Sequence, residues 1–202
     1  MATSGAICGI DEAGRGPWAG PVVAAAVILP AKGRPKGLAD SKQLSAEERE
    51  ALAEQIRACA LVGVGAASPR EIDEINILRA TYLAMRRAFD ALPERPVAAL
   101  IDGSAPPELP CAIECIVDGD AHVASISAAS IIAKVERDAI MAALCAQHPG
   151  YGFAKHKGYG TPEHQSALAL LGPSPIHRLS FKPVRAAHEA RAGDLSRNAA
   201  HP

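Results

Sequence analysis

Apolar residues early in the chain fall into three short runs without helical spacing. AICGID (residues 6–11) and ALVGVGAAS (60–68) read as strands. Between them GPVVAAAVIL (20–29) is apolar at nearly every position, as expected of a strand covered on both faces of a sheet. The polar segment DSKQLSAEEREALAEQIRAC follows. Its Ser45 stands three residues before Glu48, the spacing of a capping box that opens a helix. Ser68, Pro69 and Glu71 repeat that signature, and the helical pattern runs to about Leu92 with a break near Asn76.

The second half alternates strand and helix patterns. VAALID (97–102) and CAIECIVDGD (111–120) read as strands. Residues 121–148 carry Ile126, Ile131, Val135, Ile140 and Leu144 near one side of a helix. TPEHQSALALLG has Thr161 as its cap, Pro162 at the first helical position and Gly172 as its stop. The predicted fold is α/β: one mixed sheet, an antiparallel meander followed by βα units, flanked by helices and with a helical C-terminal part. Residues 1–185 would form one domain, and the Ala-, Arg- and Asn-rich residues 186–202 a flexible tail.

Composition narrows the class without naming a partner. A chain of 202 residues buries roughly 70% of its unfolded surface, enough for a sizeable core. Lys plus Arg number 21 against 22 for Asp plus Glu, so a nucleic-acid ligand would need a local basic patch rather than a basic chain. Aromatics are 3%, which leaves the core to Ala, Val, Ile and Leu. The cysteines are Cys8, Cys59, Cys111, Cys115 and Cys145, with no CxxC pair. They read as buried free thiols of a reducing cytoplasm. No secretory signal and no apolar run near the roughly 20 residues of a bilayer span is present, so a cytoplasmic protein with no membrane partner is expected.

Acids at strand ends supply the candidate chemistry. One predicted strand ends on Asp11 and Glu12, another on Asp102 and a third on Asp118 and Asp120. A single such acid is best read as a solvated loop carboxylate, and DG is ordinary turn sequence. Three acid-tipped strands in one sheet change that reading, because gathered carboxylates repel unless cations neutralise them. Oxygen-only ligands favour magnesium or manganese over zinc. Two divalent ions would balance four carboxylates, and metals roughly 3.5–4 Å apart can activate water and stabilise a leaving oxygen in phosphodiester cleavage. Adjacent strand residues point to opposite faces, so Asp11 and Glu12 meet one ion only if the strand ends or bends there.

Two loops carry groups suited to nucleic acid. Arg15 lies between Gly14 and Gly16, where a backbone can approach a ligand closely and a guanidinium can grip phosphate. Lys42 sits in DSKQLS, where a solvated side chain is the plainer reading. YGFAKHKGYGTPEH packs Lys155, His156, Lys157, Tyr159 and His164 into a glycine-broken loop that suits backbone neutralisation plus stacking. Tyr151 and Phe153 read as packing anchors of that loop, while Tyr159 between two glycines does not.

The ordered blocks GIDEAGRGPWAGPVVAAAVILP, DSKQLS, DGDAHVASISAASIIAKVERD, HPGYGFAKHKGYGTPEH and GPSPIHRLSFKPV, spread over residues 7–185, resemble the ribonuclease HII (type 2 ribonuclease H) family. The resemblance implies a ribonuclease H-like fold and hydrolysis of the RNA strand of RNA–DNA hybrids by two Mg2+ or Mn2+ ions. It also implies incision 5′ to single ribonucleotides embedded in duplex DNA, leaving 3′-hydroxyl and 5′-phosphate ends. It assigns metal binding to Asp11, Glu12, Asp102 and Asp120, with Asp138 a further catalytic acid. Gly14, Arg15 and Gly16 match the turn that inspects the ribose 2′-hydroxyl. Tyr159 matches the tyrosine that stacks at the RNA–DNA junction. Lys42 and Lys157 would contact the substrate backbone. Asp118 and Ser127 depart from the pattern, which has Lys and Ala there. A monomer acting on RNA–DNA hybrid and ribonucleotide-containing duplex is expected. Two other readings stay open: a two-metal nuclease of the same fold acting on DNA, and a non-catalytic hybrid-binding module.

Overall fold

A computed structural model describes residues 5–38 and 44–199. Five strands form one sheet: β1 (Ile7–Ala13), β2 (Val22–Ile28), β3 (Leu61–Ala67), β4 (Ala98–Asp102) and β5 (Ala112–Ile116). Their order is β3-β2-β1-β4-β5. β1, β2 and β3 form the antiparallel meander, and β4 joins β1 in parallel, as β5 joins β4. The helices are α1 (Ala46–Cys59), α2 (Pro69–Asp90), α3 (Gly119–His122), α4 (Ala124–Gln147), α5 (Phe153–His156), α6 (Pro162–Leu171) and α7 (Lys182–Ala199).

Both expected capping boxes form, Ser45 with Glu48 and Ser68 with Glu71. The expected break in α2 falls at Asn76, which has a φ of 69° and accepts hydrogen bonds from the Leu78 and Arg79 amides. Its side chain thus caps the second half of the helix. On one sheet face α2 packs over Cys8, Ile10, Val22, Ala24 and Ile101. On the other, α1 and α4 cover Ala25 and Val27 with Ile56, Ile131 and Ile132. This two-sided cover explains why β2 is apolar at every position. A small third core holds Ala19, Met141, Tyr151 and Phe153, so the two aromatics are the packing anchors the sequence suggests.

Three expectations need correction. The stretch 111–120 is not strand to its end: β5 stops at Ile116 and Asp118, with φ 54°, turns the chain into α3. A left-handed Asp followed by Gly breaks the extended run that the apolar pattern suggested. Of the five cysteines Cys8 is buried, Cys59 at the end of α1 is exposed and the other three are half-buried. Residues 186–199 of the expected tail continue α7 as helix, in keeping with their Ala, Arg and Glu content. Among the described residues no helix is long and apolar enough to cross a membrane.

Candidate active site

The parallel pairing of β1 and β4 sets Ile10 opposite Ile101. The next residues on each strand are Asp11 and Asp102, so two acids stand level at the carboxyl ends of the central strands. Alternation then assigns their face. Cys8 and Ile10 enter the core under α2, which turns Gly9 and Asp11 toward α4. A Cβ on Gly9 would lie 2.2 Å from the Ser125 carbonyl carbon, so only glycine admits the α4 backbone this close. By the same alternation Ala99 and Ile101 face α2, and Asp102 shares the side of Asp11.

Asp120 joins this pair from a helix. The Gly119 amide donates to Asp102 Oδ1 at 2.8 Å and ties the start of α3 to β4. The next residue is Asp120, which is buried. The Ser127 hydroxyl donates to the Asp120 carbonyl, so the residue that departs from the family pattern fastens α3 to α4. Asp118 is exposed. Glu12 falls on the opposite strand face from Asp11, yet borders a cavity of about 390 Å³ walled by Arg49, Lys134, Arg137 and Tyr159.

Burial and neighbouring charge oppose ionisation of Asp11 and Glu12. The Asp11 carboxyl is pushed well above its ordinary value, first by burial, then by the charge of Glu12, with Asp102 and Asp120 adding to it. Burial also raises Glu12, while Arg15, 3.3 Å from Glu12 Oε1, pulls it down. Among the described residues no three His, Cys, Asp or Glu side chains form a ready-made metal cage. Asp11 Oδ1 accepts the Glu12 amide at 2.7 Å, Glu12 turns to Arg15, and Asp102 holds Gly119. The set fits a divalent ion in its donor chemistry: all oxygen, and destabilised by its own charge. Asp138 lies one turn along α4 from Lys134, whose Nζ is 2.8 Å from its Oδ1.

The glycine–arginine–glycine turn is held from behind by two buried arginines. Gly14 has φ 98°, and a Cβ there would meet Arg137 Nε at 2.0 Å. Arg178 donates to the carbonyls of Gly14, Arg15 and Gly20 at 2.6, 2.9 and 2.9 Å. Arg137 donates to those of Pro21, Ala19 and Lys157 at 3.0, 3.2 and 3.0 Å. Burial, then repulsion from Arg137, pushes Arg178 down to about 9. Tyr159 is 46% exposed, and its ring lies 3.7 Å from where a side chain on Gly16 would begin. Lys157 beside it is half-buried with a left-handed φ of 53°. Lys42 lies outside the described residues.

Sequence reasoning passed over Arg137, Arg178 and His177, and the expectation that His156 and His164 serve a nucleic-acid loop needs correction, since both are buried. Arg137 had a visible signal: it sits four residues from both Ala133 and Met141 on the buried stripe of α4, where a charge is costly. Arg178 follows His177 in a loop and carries no periodic cue. His156, His164 and His177 are buried together around Phe153. Burial, then repulsion from His164, pushes His177 from its ordinary 6.5 to about 4, and burial lowers His164 as well.

A ring that stays neutral when folded but takes a proton when unfolded gives the unfolded chain more protons between those values. Stability from His177 is therefore complete above 6.5 and lost as pH falls toward about 4. The gap in melting temperature between wild type and His177→Gln is expected to narrow as pH falls through that window. A gap independent of pH would contradict a buried neutral His177.

The mixed five-stranded sheet with its flanking helices is of the ribonuclease H-like class. The Ribonuclease HII family model matches residues 8–184. Ribonuclease HII of Parvibaculum lavamentivorans is 60% identical over 180 residues, covering 89% of this chain and 67% of that protein. That of Paramagnetospirillum magneticum is 58% identical over 184 residues, covering 89% and 92%. Among solved structures, the ribonuclease H2 of Pyrococcus horikoshii OT3 superposes with a TM-score of 0.77 at 27% identity, covering 91% and 97%. The chain belongs to the ribonuclease HII family, nucleases that depend on divalent metal and act on RNA–DNA hybrids.

Proposed function

We propose that this chain incises duplex DNA 5′ to a single embedded ribonucleotide, as well as the RNA strand of longer hybrids, leaving 3′-hydroxyl and 5′-phosphate ends. The observation that carries this reading is the placement of the Gly14–Arg15–Gly16 turn and the exposed Tyr159 ring beside the Asp11–Glu12–Asp102–Asp120 group. Those four carboxylates would hold two divalent ions, Mg2+ or Mn2+. When bound, the ions would supply a nucleophile from water at neutral pH and charge stabilisation at the leaving oxygen. Asp138 acts on this site through Lys134, which it holds at the cavity wall.

The chain's own groups select the sugar. Among the described residues the amides of Arg15 and Gly16 donate to no protein acceptor, and so remain for a ligand. A turn offering backbone donors and acceptors can bond a 2′-hydroxyl, the one local difference between ribose and deoxyribose. Sites built to bond a hydroxyl reject analogues lacking it by large factors. Tyr159 presses on the next sugar, where a 2′-hydroxyl would add bulk. Lys157 and Lys42 neutralise phosphates and carry no sugar information. The enzyme acts as a monomer in the cytoplasm.

Tyr159→Ala is expected to lower cleavage at a single embedded ribonucleotide more than cleavage within a long hybrid, by about tenfold in the ratio of rates if stacking is worth its usual 1–3 kcal/mol. Tyr159→Phe should keep most of the ratio. An unchanged ratio in Tyr159→Ala would make that residue a packing element and place junction reading elsewhere.

A further inference from the structure

The histidine cluster lies behind Tyr159 and its hydrogen bonds have a forced direction. The Ser174 amide can only donate, and it reaches His177 Nδ1 at 2.9 Å. His177 Nδ1 is therefore bare, and a neutral ring carries its proton on Nε2. His177 Nε2 lies 2.9 Å from His164 Nε2, which must accept. His164 then carries its proton on Nδ1, which lies 2.9 Å from the Tyr159 carbonyl, a group that can only accept. The chain starts on an obligatory donor and ends on an obligatory acceptor. A second proton on His164 would set two N–H groups face to face at the 2.9 Å contact with His177, and one on His177 would do so at the 2.9 Å contact with the Ser174 amide.

The same bonds immobilise the backbone of Tyr159. Its amide donates to the His156 carbonyl at 2.9 Å, and its carbonyl accepts the Thr161 amide at 2.8 Å besides His164. His156 stacks on His164 with ring centroids 4.6 Å apart, and its Nδ1 accepts the amide of Gly158, the neighbour of Tyr159. Both peptide planes of an otherwise exposed residue are thus fixed from the buried side. Exposed side chains on glycine-flanked loops are ordinarily mobile. A reader of sugar shape must be held within a fraction of an ångström.

We propose that His164 and His177 are positioning residues for Tyr159: the one-way Ser174–His177–His164 chain locks the Tyr159 backbone so that its ring stays against the Gly14–Arg15–Gly16 turn. Burial supports this by keeping both rings neutral. The inference rests on the junction-reading role of Tyr159.

Amide side chains test it, because Asn places its amide at the Nδ1 position of His and Gln at the Nε2 position. At 164 the bond to Tyr159 uses Nδ1, so His164→Asn should keep the single-ribonucleotide-to-hybrid rate ratio within about twofold. His164→Gln should lower it by about five- to tenfold, the worth of a buried hydrogen bond. At 177 the link to His164 uses Nε2, so the order reverses: His177→Gln keeps the ratio and His177→Asn loses it. A merely structural role would rank Asn and Gln alike at both positions, and that result overturns the inference. Nitrogen NMR of the wild-type protein gives an answer that needs no variant to fold. The proton is expected on Nδ1 of His164 and on Nε2 of His177, and a proton on Nε2 of His164 overturns the inference. Tyr159→Ala separates the two failures. If it shifts the ratio while the amide series does not, the relay is wrong and the Tyr159 reading stands. If it leaves the ratio unchanged, the Tyr159 reading falls and the inference with it.

Discussion

Asp11→Asn is expected to reduce cleavage by about a thousandfold or more while leaving the metal-free fold at least as stable as wild type. The loss would follow from removing one of the charges proposed to hold the ions, an interaction worth several kcal/mol in such sites. The stability follows from the electrostatics of the empty group. The folded state holds the Asp11 proton to a pH well above the ordinary 3.8, because burial and the neighbouring acids oppose its ionisation. Between 3.8 and that raised value the folded state binds more protons than the unfolded chain, so metal-free wild type loses stability as pH rises. Asn cannot ionise and escapes the loss. Its advantage in melting temperature should be absent near pH 3.8 and largest at neutral pH. Adding magnesium should reverse the order, since the wild type alone keeps its full ligand set. Near-normal turnover of Asp11→Asn at saturating magnesium would remove Asp11 from the site.

Arg178→Met is expected to cost about 3 kcal/mol or more of stability and to abolish the preference for single ribonucleotides. Opposing effects have to be weighed. Removing the guanidinium relieves its desolvation and its repulsion with Arg137. It also orphans the carbonyls of Gly14, Arg15 and Gly20, at about 1–3 kcal/mol each, and the second effect wins. Arg178→Lys should rescue little, since an ammonium cannot span three carbonyls that a planar fork meets. Chemical denaturation gives the stability and the rate ratio gives the selectivity. A stable variant with wild-type selectivity would show that the turn holds its shape without Arg178.

Much of this was legible where local pattern and tertiary placement agree. Asp11 and Asp102 could be found because each follows a short apolar strand, and strands of one sheet bring their ends together. Both capping boxes and the Asn76 break are local chemistry, and they appear where the sequence puts them. Asp120 was recognisable as an acid of the site but not as a helical one, because an Asp-Gly turn inside an apolar stretch looks like the end of a strand. Arg178 was invisible for a different reason. Its partners, Gly14, Arg15 and Gly20, are more than 150 residues away and are all backbone carbonyls, so no sequence pairing announces them. His156 and His164 read as loop residues in the sequence, and only packing shows that the ring nitrogens of His164 and His177 meet. Long-range contacts made through the main chain carry no residue-type signature, and the support of this site is built from them.

Cleavage at a lone ribonucleotide is expected to need both this group of carboxylates and this turn. It is tested most directly by incubating the protein with a DNA duplex holding one ribonucleotide, with and without magnesium or manganese, and mapping the cut. A single metal-dependent incision on the 5′ side of the ribonucleotide is expected, with 3′-hydroxyl and 5′-phosphate ends, and no cut in the all-deoxyribose duplex. Cleavage without added metal in the presence of chelator, equal cleavage of the all-deoxyribose duplex, or a cut on the 3′ side of the ribose would contradict it.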